Sequence, residues 1–440
     1  MNISFLQQLR CPFCSGRFKT AVTDQISGEP GYNVLTCYCS RYPVVAGIPI
    51  LKKDNTIDKV IALTEAGRHL EALLTMVSPT SFSMSPLWKL SSLLPYKATF
   101  LLKGLVQEKV VKKWRERATV LLTDQSGQDM ARDLIDFFIE YGNDYFFFRF
   151  GQPRYLVALS LVSLINQPMK PILDLACGCG HITRSLVHRA KDQQVIGVDQ
   201  SFIWLFIAKY WIAPEAEYVC CNADISLPFQ DDAFSTVFCS DAFHYFGNKA
   251  TNIRELKRLT RDKGVIELAW VNNEFFRRPY NGLPLPLEGY QMLINDMPHR
   301  LLADCDILAR YLQKQGPPLA HSADIEHLNQ QRTFSIVVSH NQEIFKDYGF
   351  FDDWPHAQGQ LRLNPHYVEE GRDEFEKVNF LRTFPSAWYE KEHAECKEYL
   401  PEKIEVQSKI LTDLYHGKRT PEVERLIKQC VVLGMPIRYY

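Results

Sequence analysis

Apolar and polar positions alternate most regularly in the middle of the chain. Short apolar runs there predict five strands, over residues 172–176, 194–199, 217–224, 236–242 and 264–271. Helical spacing predicts helices between these runs, over residues 181–190, 202–211 and 249–261. Apolar strands that alternate with helices are typical of a parallel sheet covered on both faces. The pattern therefore predicts an α/β fold with a doubly wound, Rossmann-like sheet.

The rest of the chain differs in pattern, and we divide the whole into four parts, residues 1–53, 54–150, 151–275 and 276–440. The first is a small cysteine-bearing unit that ends in the apolar run YPVVAGIPIL, and the second is a helical insert interrupted by prolines 79, 86 and 95. The third holds the predicted sheet. In the fourth we expect a strand over 333–339 and a mostly charged, helical tail from Pro365, which together complete the sheet and cap an acceptor site.

Composition narrows the class of protein. Charged residues make up 23% and hydrophobic residues 46% of the 440 residues, which is ordinary for globular proteins. The formal charge of −1 gives no overall cationic surface for nucleic acid, and no apolar run is long enough to span a membrane. We see no export signal, so the 12 cysteines are expected to be reduced thiols and the protein cytoplasmic.

Carboxylates follow three successive predicted strands. Asp174, Asp199 and Asp224 lie at these ends, and Gly178 and Gly180 follow the first strand in the turn before a helix. A dinucleotide site would need a third glycine where this chain has threonine, and a carboxylate within the turn would repel a pyrophosphate. The set is suited instead to a positively charged nucleoside without phosphates. S-adenosylmethionine is such a ligand.

At this point the sequence resembles the class I S-adenosylmethionine-dependent methyltransferases, and within them the small-molecule branch of ubiquinone and menaquinone biosynthesis. LDLACGCG, GVDQS, ADISLPFQDDAFSTVFCSDAFHYF and IRELKRLTRDKGVIELAWV carry this resemblance over residues 170–272. The resemblance implies residues for each part of the cofactor. These are Asp174, Ala176, Gly178 and Gly180 for methionine, Asp199 and Gln200 for ribose, Ala223 and Asp224 for adenine, and Ser240 lining the methionine end.

The resemblance is incomplete at two positions. Ser235 stands where an acidic residue is usual, and Asp262-Lys263-Gly264 replaces the usual Pro-Gly-Gly turn. The carboxylates themselves have an alternative interpretation as strand-end caps in an inert domain. We therefore predict a methyltransferase with a small-molecule, biosynthetic acceptor. The alternatives are an RNA methyltransferase guided by the N-terminal unit and a noncatalytic partner protein that retains the fold.

The N-terminal unit carries four cysteines, Cys11, Cys14, Cys37 and Cys39. Four thiolates are suited to tetrahedral zinc at a structural site, and so small a unit would hardly fold without a metal. The segment CPFC…CYCSRYPVVAGIPIL resembles the zinc ribbons of methyltransferase activator proteins and of some ribosomal-RNA guanine methyltransferases. Those ribbons usually separate the last two ligands by two or three residues, whereas this chain has one, so a metal-free ribbon is the alternative.

His244 is our candidate general base, because it follows the fourth strand and an imidazole titrates near neutral pH. Simple packing at a helix start is the alternative.

The aromatic run 145–150 is expected to form a lid in which Arg149 reaches a carboxylate, or else to pack on the sheet. The basic stretch 103–117 suits either RNA phosphates or a solvated helix face. No Asn/Asp-Pro-Pro-aromatic signature of amino-group methyltransferases is present, and the sequence leaves the acceptor unidentified.

Overall fold

A computed structural model describes most of the chain. The described residues are 3–20, 31–78, 111–123, 131–139, 143–165, 170–260, 264–277, 282–350, 355–373 and 376–439. Prolines 79, 86 and 95, the first part of the basic stretch 103–117, and residues 262–263 lie outside them. Among the described helices, none has both the length and the apolar character needed to cross a membrane.

The centre of the molecule is a seven-stranded sheet, which confirms the α/β, doubly wound, Rossmann-like fold. Its strands are β5 (Ile172–Leu175), β6 (Val195–Asp199), β7 (Glu217–Cys220), β8 (Thr236–Ser240), β9 (Val265–Asn272), β10 (His299–Ala303) and β11 (Thr333–Ser339). Their order across the sheet is β10-β11-β9-β8-β5-β6-β7. β5 to β9 run parallel, and β11 is antiparallel to β9. β10 is antiparallel to β11 and so runs in the direction of β5 to β9. The direction of the chain therefore reverses twice at one side of the sheet.

Alternation of side chains within the strands produces two cores, one on each face of the sheet. In β5, Ile172 enters one core while Leu173 and Leu175 enter the other. The helices that cover the sheet are Pro153–Val162, His181–Ala190, Phe202–Ile207 with a π-helical continuation to Ile212, Lys249–Thr260, Leu287–Ile294 and Asp304–Leu312. The predicted strands 217–224 and 236–242 both end earlier than expected, at Cys220 and Ser240. The residues after each strand are therefore free to form loops at the carboxyl edge.

The N-terminal unit is a small antiparallel sheet attached to the edge of the main one. It consists of β1 (Lys19–Thr20), β2 (Asn33–Thr36), β3 (Arg41–Val45) and β4 (Ile48–Pro49), preceded by the helix Ile3–Gln8. The chain leaves β4 alongside β7, since Ile50 forms a parallel bridge with Cys220 and the Leu51 amide donates to the Cys220 carbonyl at 2.8 Å. Described helices of the following part are Asn55–Glu65, His69–Val77, Ala131–Phe138 and Asn143–Phe147, with a further helical stretch at 111–123.

The expectation of a mostly helical tail from Pro365 is wrong. The tail contains β13 (Tyr367–Arg372), β14 (Lys377–Arg382) and β15 (Lys403–Gln407) as an antiparallel sheet, and β16 (Val432–Met435) pairs with β12 (Gln360–Leu363). Its helices are Ala387–Glu392, Cys396–Tyr399, Ser408–Tyr415 and Pro421–Lys428. The strand Lys403–Gln407 alternates buried Ile404 and Val406 with exposed charges, a period of two that the high charge of the tail obscures.

Candidate functional site

The turn after β5 has the backbone conformation that its glycines permit. Gly178 and Gly180 have φ of 55° and 80°, and Ala176 also lies in the left-handed region at 57°. A Cβ atom at Gly180 would approach the Ala208 Cβ to 2.9 Å, so a larger residue there would displace the neighbouring helix. The helix His181–Ala190 begins directly after this turn. The turn is thus both tight and close-packed, as a ligand-binding turn of this fold requires.

Asp174 and Asp199 form a pair of buried carboxylates beside this turn. Asp174 accepts a hydrogen bond from the Thr183 hydroxyl at 2.6 Å, and Asp199 accepts the amides of Gly178 at 3.0 Å and Ser201 at 2.8 Å. Burial raises the pKa of both groups, that of Asp174 to about 7, and the charge of Asp199 adds to the effect on Asp174. Two buried carboxylates with raised pKa values are stabilised by a cationic ligand.

The residues predicted to hold ribose and adenine lie at the same edge but nearer to solvent. Gln200 is exposed, and its carbonyl accepts from the Lys52 ammonium group of the N-terminal unit. Asp224 is also exposed and accepts the amide of Gly247 at 3.0 Å, while the Ala223 carbonyl accepts from an asparagine amide. Their predicted roles in cofactor binding stay predictions.

Ser240 and His244 occupy the carboxyl end of β8, next to the end of β5. The Ser240 hydroxyl and both ring nitrogens of His244 are buried and have no hydrogen-bond partner among the described residues. Burial lowers the pKa of His244 to about 4, against an opposing effect of Asp241. The imidazole is therefore neutral at physiological pH. Sequence reasoning based on the ordinary value near 6.5 places its titration too high.

Asp241 is a candidate functional residue that the sequence analysis does not single out. Its Oδ2 atom accepts from the Tyr145 hydroxyl at 2.5 Å, from Arg154 at 2.9 Å and from Arg149 at 3.2 Å. Its φ of 56° is rare for a residue other than glycine. Burial opposes ionisation, but the two guanidinium groups hold the pKa of Asp241 well below its usual range. The carboxylate that Arg149 reaches thus belongs to the protein itself.

The aromatic run 145–150 covers the turn after β5. The Phe146 ring lies over Gly178, where an added Cβ would be 3.7 Å from it, and the ring centroids of Phe146 and Trp204 are 5.1 Å apart. Phe150 packs edge-on against Tyr155 within the core. Part of the run therefore closes over the site, while part of it is core.

The four N-terminal cysteines come together. Sγ–Sγ distances are 3.6 Å for Cys11–Cys39, 3.7 Å for Cys37–Cys39 and 3.9 Å for Cys14–Cys37. A zinc tetrahedron with Zn–S bonds of about 2.3 Å has edges of about 3.8 Å. The single residue between Cys37 and Cys39 is thus no obstacle to this arrangement. The cluster is compatible with a small zinc-binding unit.

A second cluster of side chains that can ligate metals consists of Cys305, Asp306 and His327, all of them exposed or partly exposed. The His327 Nε2 is already 3.1 Å from an Asp306 oxygen. This contact accounts for the group without a metal.

The central part of the chain is similar to known proteins. Residues 172–264 match a family model described as a methyltransferase domain. A malonyl-[acyl-carrier protein] O-methyltransferase of Halorhodospira halophila is 32% identical over 179 residues, which cover 40% of this chain and 55% of the relative. A demethylmenaquinone methyltransferase of Thermotoga maritima is 31% identical over 108 residues, 24% of this chain and 46% of the relative.

Among solved structures, an S-adenosylmethionine-dependent methyltransferase of Mesorhizobium loti is 15% identical, with 42% of this chain and 97% of that chain covered and a TM-score of 0.32. The chain spans about half the length of the two curated relatives described above. The residues matched by the family model run from β5 to the residue before β9 and contain the turn and both buried carboxylates. Residues 172–264 are therefore similar to methyltransferase domains.

Proposed function

We propose that this protein transfers a methyl group from S-adenosylmethionine to a small-molecule, biosynthetic acceptor. The observation that carries this proposal is the pair of buried carboxylates, Asp174 and Asp199, at adjacent strand ends beside a glycine turn. The match of this segment to a methyltransferase-domain family supports the reaction type. The relatives named for malonyl-[acyl-carrier protein] and demethylmenaquinone support a small-molecule acceptor.

In this proposal, different residues of the chain bind different parts of the cofactor. Asp174, Ala176, Gly178 and Gly180 hold the methionine part, Asp199 and Gln200 the ribose, Ala223 and Asp224 the adenine, and Ser240 lines the methionine end. When bound, the cofactor supplies an electrophilic methyl group on a sulfonium. The protein then contributes mainly by orienting the acceptor and excluding water, since the displacement is in-line. Phe146 and Trp204 supply an apolar cover over the turn.

His244 serves as the base in this proposal if the acceptor must lose a proton. Its imidazole is neutral near pH 7 and therefore holds a free lone pair, and it is close enough to Asp241 for that carboxylate to raise its pKa. An acceptor that is already ionised needs no base, and His244 would then only donate or accept a hydrogen bond.

We also propose that Cys11, Cys14, Cys37 and Cys39 hold one structural zinc ion. The support is the near-tetrahedral spacing of their sulfur atoms. The ion would fix the unit that is paired with β7, and this unit supplies Lys52 to the backbone of Gln200. Loss of the ion would therefore disturb the edge of the proposed ribose site as well as the N-terminal unit.

Radiolabelled methyl transfer tests the proposal. The full-length protein is incubated with methyl-labelled S-adenosylmethionine and separate small-molecule, RNA and protein fractions of a cell extract. Label in the small-molecule fraction, lost in an Asp199→Ala variant, is the expected result. Label only in RNA would support the RNA methyltransferase, and cofactor binding without label in any fraction would support a noncatalytic partner.

A further inference from the structure

Five of the buried polar atoms without partners lie around Asp241. They are Arg154 Nε, Ser240 Oγ, His393 Nε2 and both ring nitrogens of His244, none of which has a hydrogen-bond partner among the described residues. A buried polar group left unpaired is destabilising, because it has lost its hydrogen bonds to water. Most buried polar groups in native proteins are satisfied, so a local group of exceptions points to a ligand that satisfies them.

His393 presents a hydrogen-bond donor at this place. Its Nδ1 atom lies 3.4 Å from Nη2 of Arg154. A guanidinium only donates, so Nδ1 must carry the lone pair and Nε2 the proton. Burial, together with the charge of Arg154, lowers the pKa of His393 far below its usual value, which keeps the ring neutral. The side chain is 1% exposed, and its Nε2–H group therefore has no acceptor in the part of the chain that the structure describes.

The donors around Asp241 also share few acceptor atoms. Arg149 and Arg154 both use the same oxygen of Asp241, as does the Tyr145 hydroxyl. The next carboxylate, Glu392, is 3.6 Å from Arg154, which is beyond hydrogen-bond distance, and it is shared with Arg332, which Glu395 also approaches at 3.7 Å. A ligand that satisfies the unpartnered N–H groups of Arg154 and His393 brings acceptor oxygens, and a carboxylate offers two of them on one group.

We propose that this cluster binds a carboxylate group of the methyl acceptor, with Arg154 supplying charge and His393 a neutral hydrogen bond. This rests on the proposed function, which places the acceptor beside His244, just after β8. Arg154 is on the helix that precedes β5, and His393 comes from the C-terminal part, far away in sequence. The C-terminal part thereby selects the acceptor class: a small molecule with a free carboxylate.

The methionine part of the cofactor also carries a carboxylate, so the same chemistry has two sources. Arg149 is the guanidinium on the cofactor side, because it is close enough to Asp174 for its charge to lower the pKa of that carboxyl group. Arg154 is placed away from it, against Trp270, Glu392 and His393. The acceptor is therefore the source to which we assign the Arg154–His393 site.

Calorimetry on the full-length protein tests this assignment. Malonate, succinate and benzoate, and the corresponding amides malonamide, succinamide and benzamide, are titrated with and without saturating S-adenosylhomocysteine. We expect at least one carboxylate to bind the S-adenosylhomocysteine complex at least tenfold more tightly than its amide. His393→Phe should weaken that carboxylate at least tenfold and leave the affinity for S-adenosylhomocysteine unchanged. His393→Gln, which keeps a side-chain N–H donor, should restore part of the loss.

His366→Phe is the matched control. Like His393, His366 is buried, has an Nε2 atom without a partner among the described residues, and packs against the Tyr389 ring, with ring centroids 5.7 Å apart. Its Nδ1 atom, however, is hydrogen-bonded to Asn364 and not to Arg154. This variant should bind the carboxylate as the wild type does, and equal thermal melting of both variants shows that the fold is intact. Equal losses in the two variants would overturn the assignment.

Two other results would also overturn it. One is equal binding of carboxylates and amides. The other is competition between the carboxylate and S-adenosylhomocysteine together with loss of S-adenosylhomocysteine affinity in Arg154→Gln, which would give the site to the methionine part. Failure of the wild type to bind S-adenosylhomocysteine would instead contradict the proposed function, and the titration of carboxylates without it would still test the anion site.

Discussion

The hydroxyl of Thr183 donates a hydrogen bond of 2.6 Å to the carboxylate of Asp174. Thr183 occupies the position where a dinucleotide-binding turn would place its third glycine. The side chain that replaces the glycine thus holds a buried carboxylate in place instead of making room for a pyrophosphate. The contact therefore links two sequence features, a carboxylate within the turn and a threonine in place of the third glycine. Both features favour a cationic nucleoside over a dinucleotide.

Asp174→Asn should stabilise the ligand-free protein at neutral and higher pH. Burial raises the pKa of Asp174 from its ordinary 3.8 to about 7, so the folded state binds a proton that the unfolded state releases. Stability from this group therefore falls as pH rises from about 4 to 7, and a neutral amide avoids the cost, roughly 1–3 kcal/mol. Thermal melting at pH 8 measures the gain. The variant should lose the extra stabilisation that S-adenosylmethionine gives the wild type; a less stable ligand-free variant would contradict the prediction.

Asp199→Ala should lose at least tenfold in affinity for S-adenosylmethionine, because the proposed ribose hydrogen bonds are worth about 1.5–3 kcal/mol together. Since Asp199 also holds the amides of Gly178 and Ser201, Asp199→Asn serves as a second variant that retains one acceptor oxygen. Isothermal titration calorimetry measures both. Asp192→Ala, an exposed aspartate near the end of the adjoining helix, should bind as the wild type does. The proteins should not bind NAD, and unchanged affinity in Asp199→Ala would refute the ribose assignment.

Elemental analysis should find one zinc ion per chain in protein purified without chelator. The double variant Cys11→Ser, Cys14→Ser should lose the ion, melt at lower temperature and bind S-adenosylmethionine more weakly, because the N-terminal unit is paired with β7. Cys305→Ser, which changes the exposed cysteine of the other ligand-type cluster, should keep the full zinc content. Protein without zinc that still melts like the wild type would mean that packing alone holds the unit.

His244→Ala should lower turnover by about 10²–10⁴-fold if the acceptor must lose a proton, with little change in cofactor affinity. Because burial lowers the pKa of His244 to about 4, the wild-type rate should stay level as pH falls from 8 to about 5. The ordinary imidazole pKa would instead give a decline below about 6.5. A pH–rate profile of kcat distinguishes the two. Wild-type turnover in the variant would make His244 a packing residue.

The architecture of the central domain follows from the pattern of its residues. Apolar strands of β5 and β6 are buried on both faces, so their periodicity and the helices between them leave one architecture, and the carboxyl ends of neighbouring parallel strands must share an edge. The sequence therefore predicts that Asp174, Asp199, Ser240 and His244 lie at one edge of the sheet. The cysteine spacing, likewise, predicted a four-ligand cluster.

The surroundings of that edge depend on tertiary contacts. Asp241, Arg154 and His393 are distant in sequence, and their contact depends on how the C-terminal part folds back, which no local periodicity encodes. The expectation of a helical tail is wrong because β14 and β15 carry charged residues among short alternations of buried and more exposed positions, and β13 is mostly exposed. The low pKa of His244 also depends on tertiary structure. It follows from burial by residues of several elements, and burial is a property of the packed molecule, not of the histidine or its neighbours in the chain.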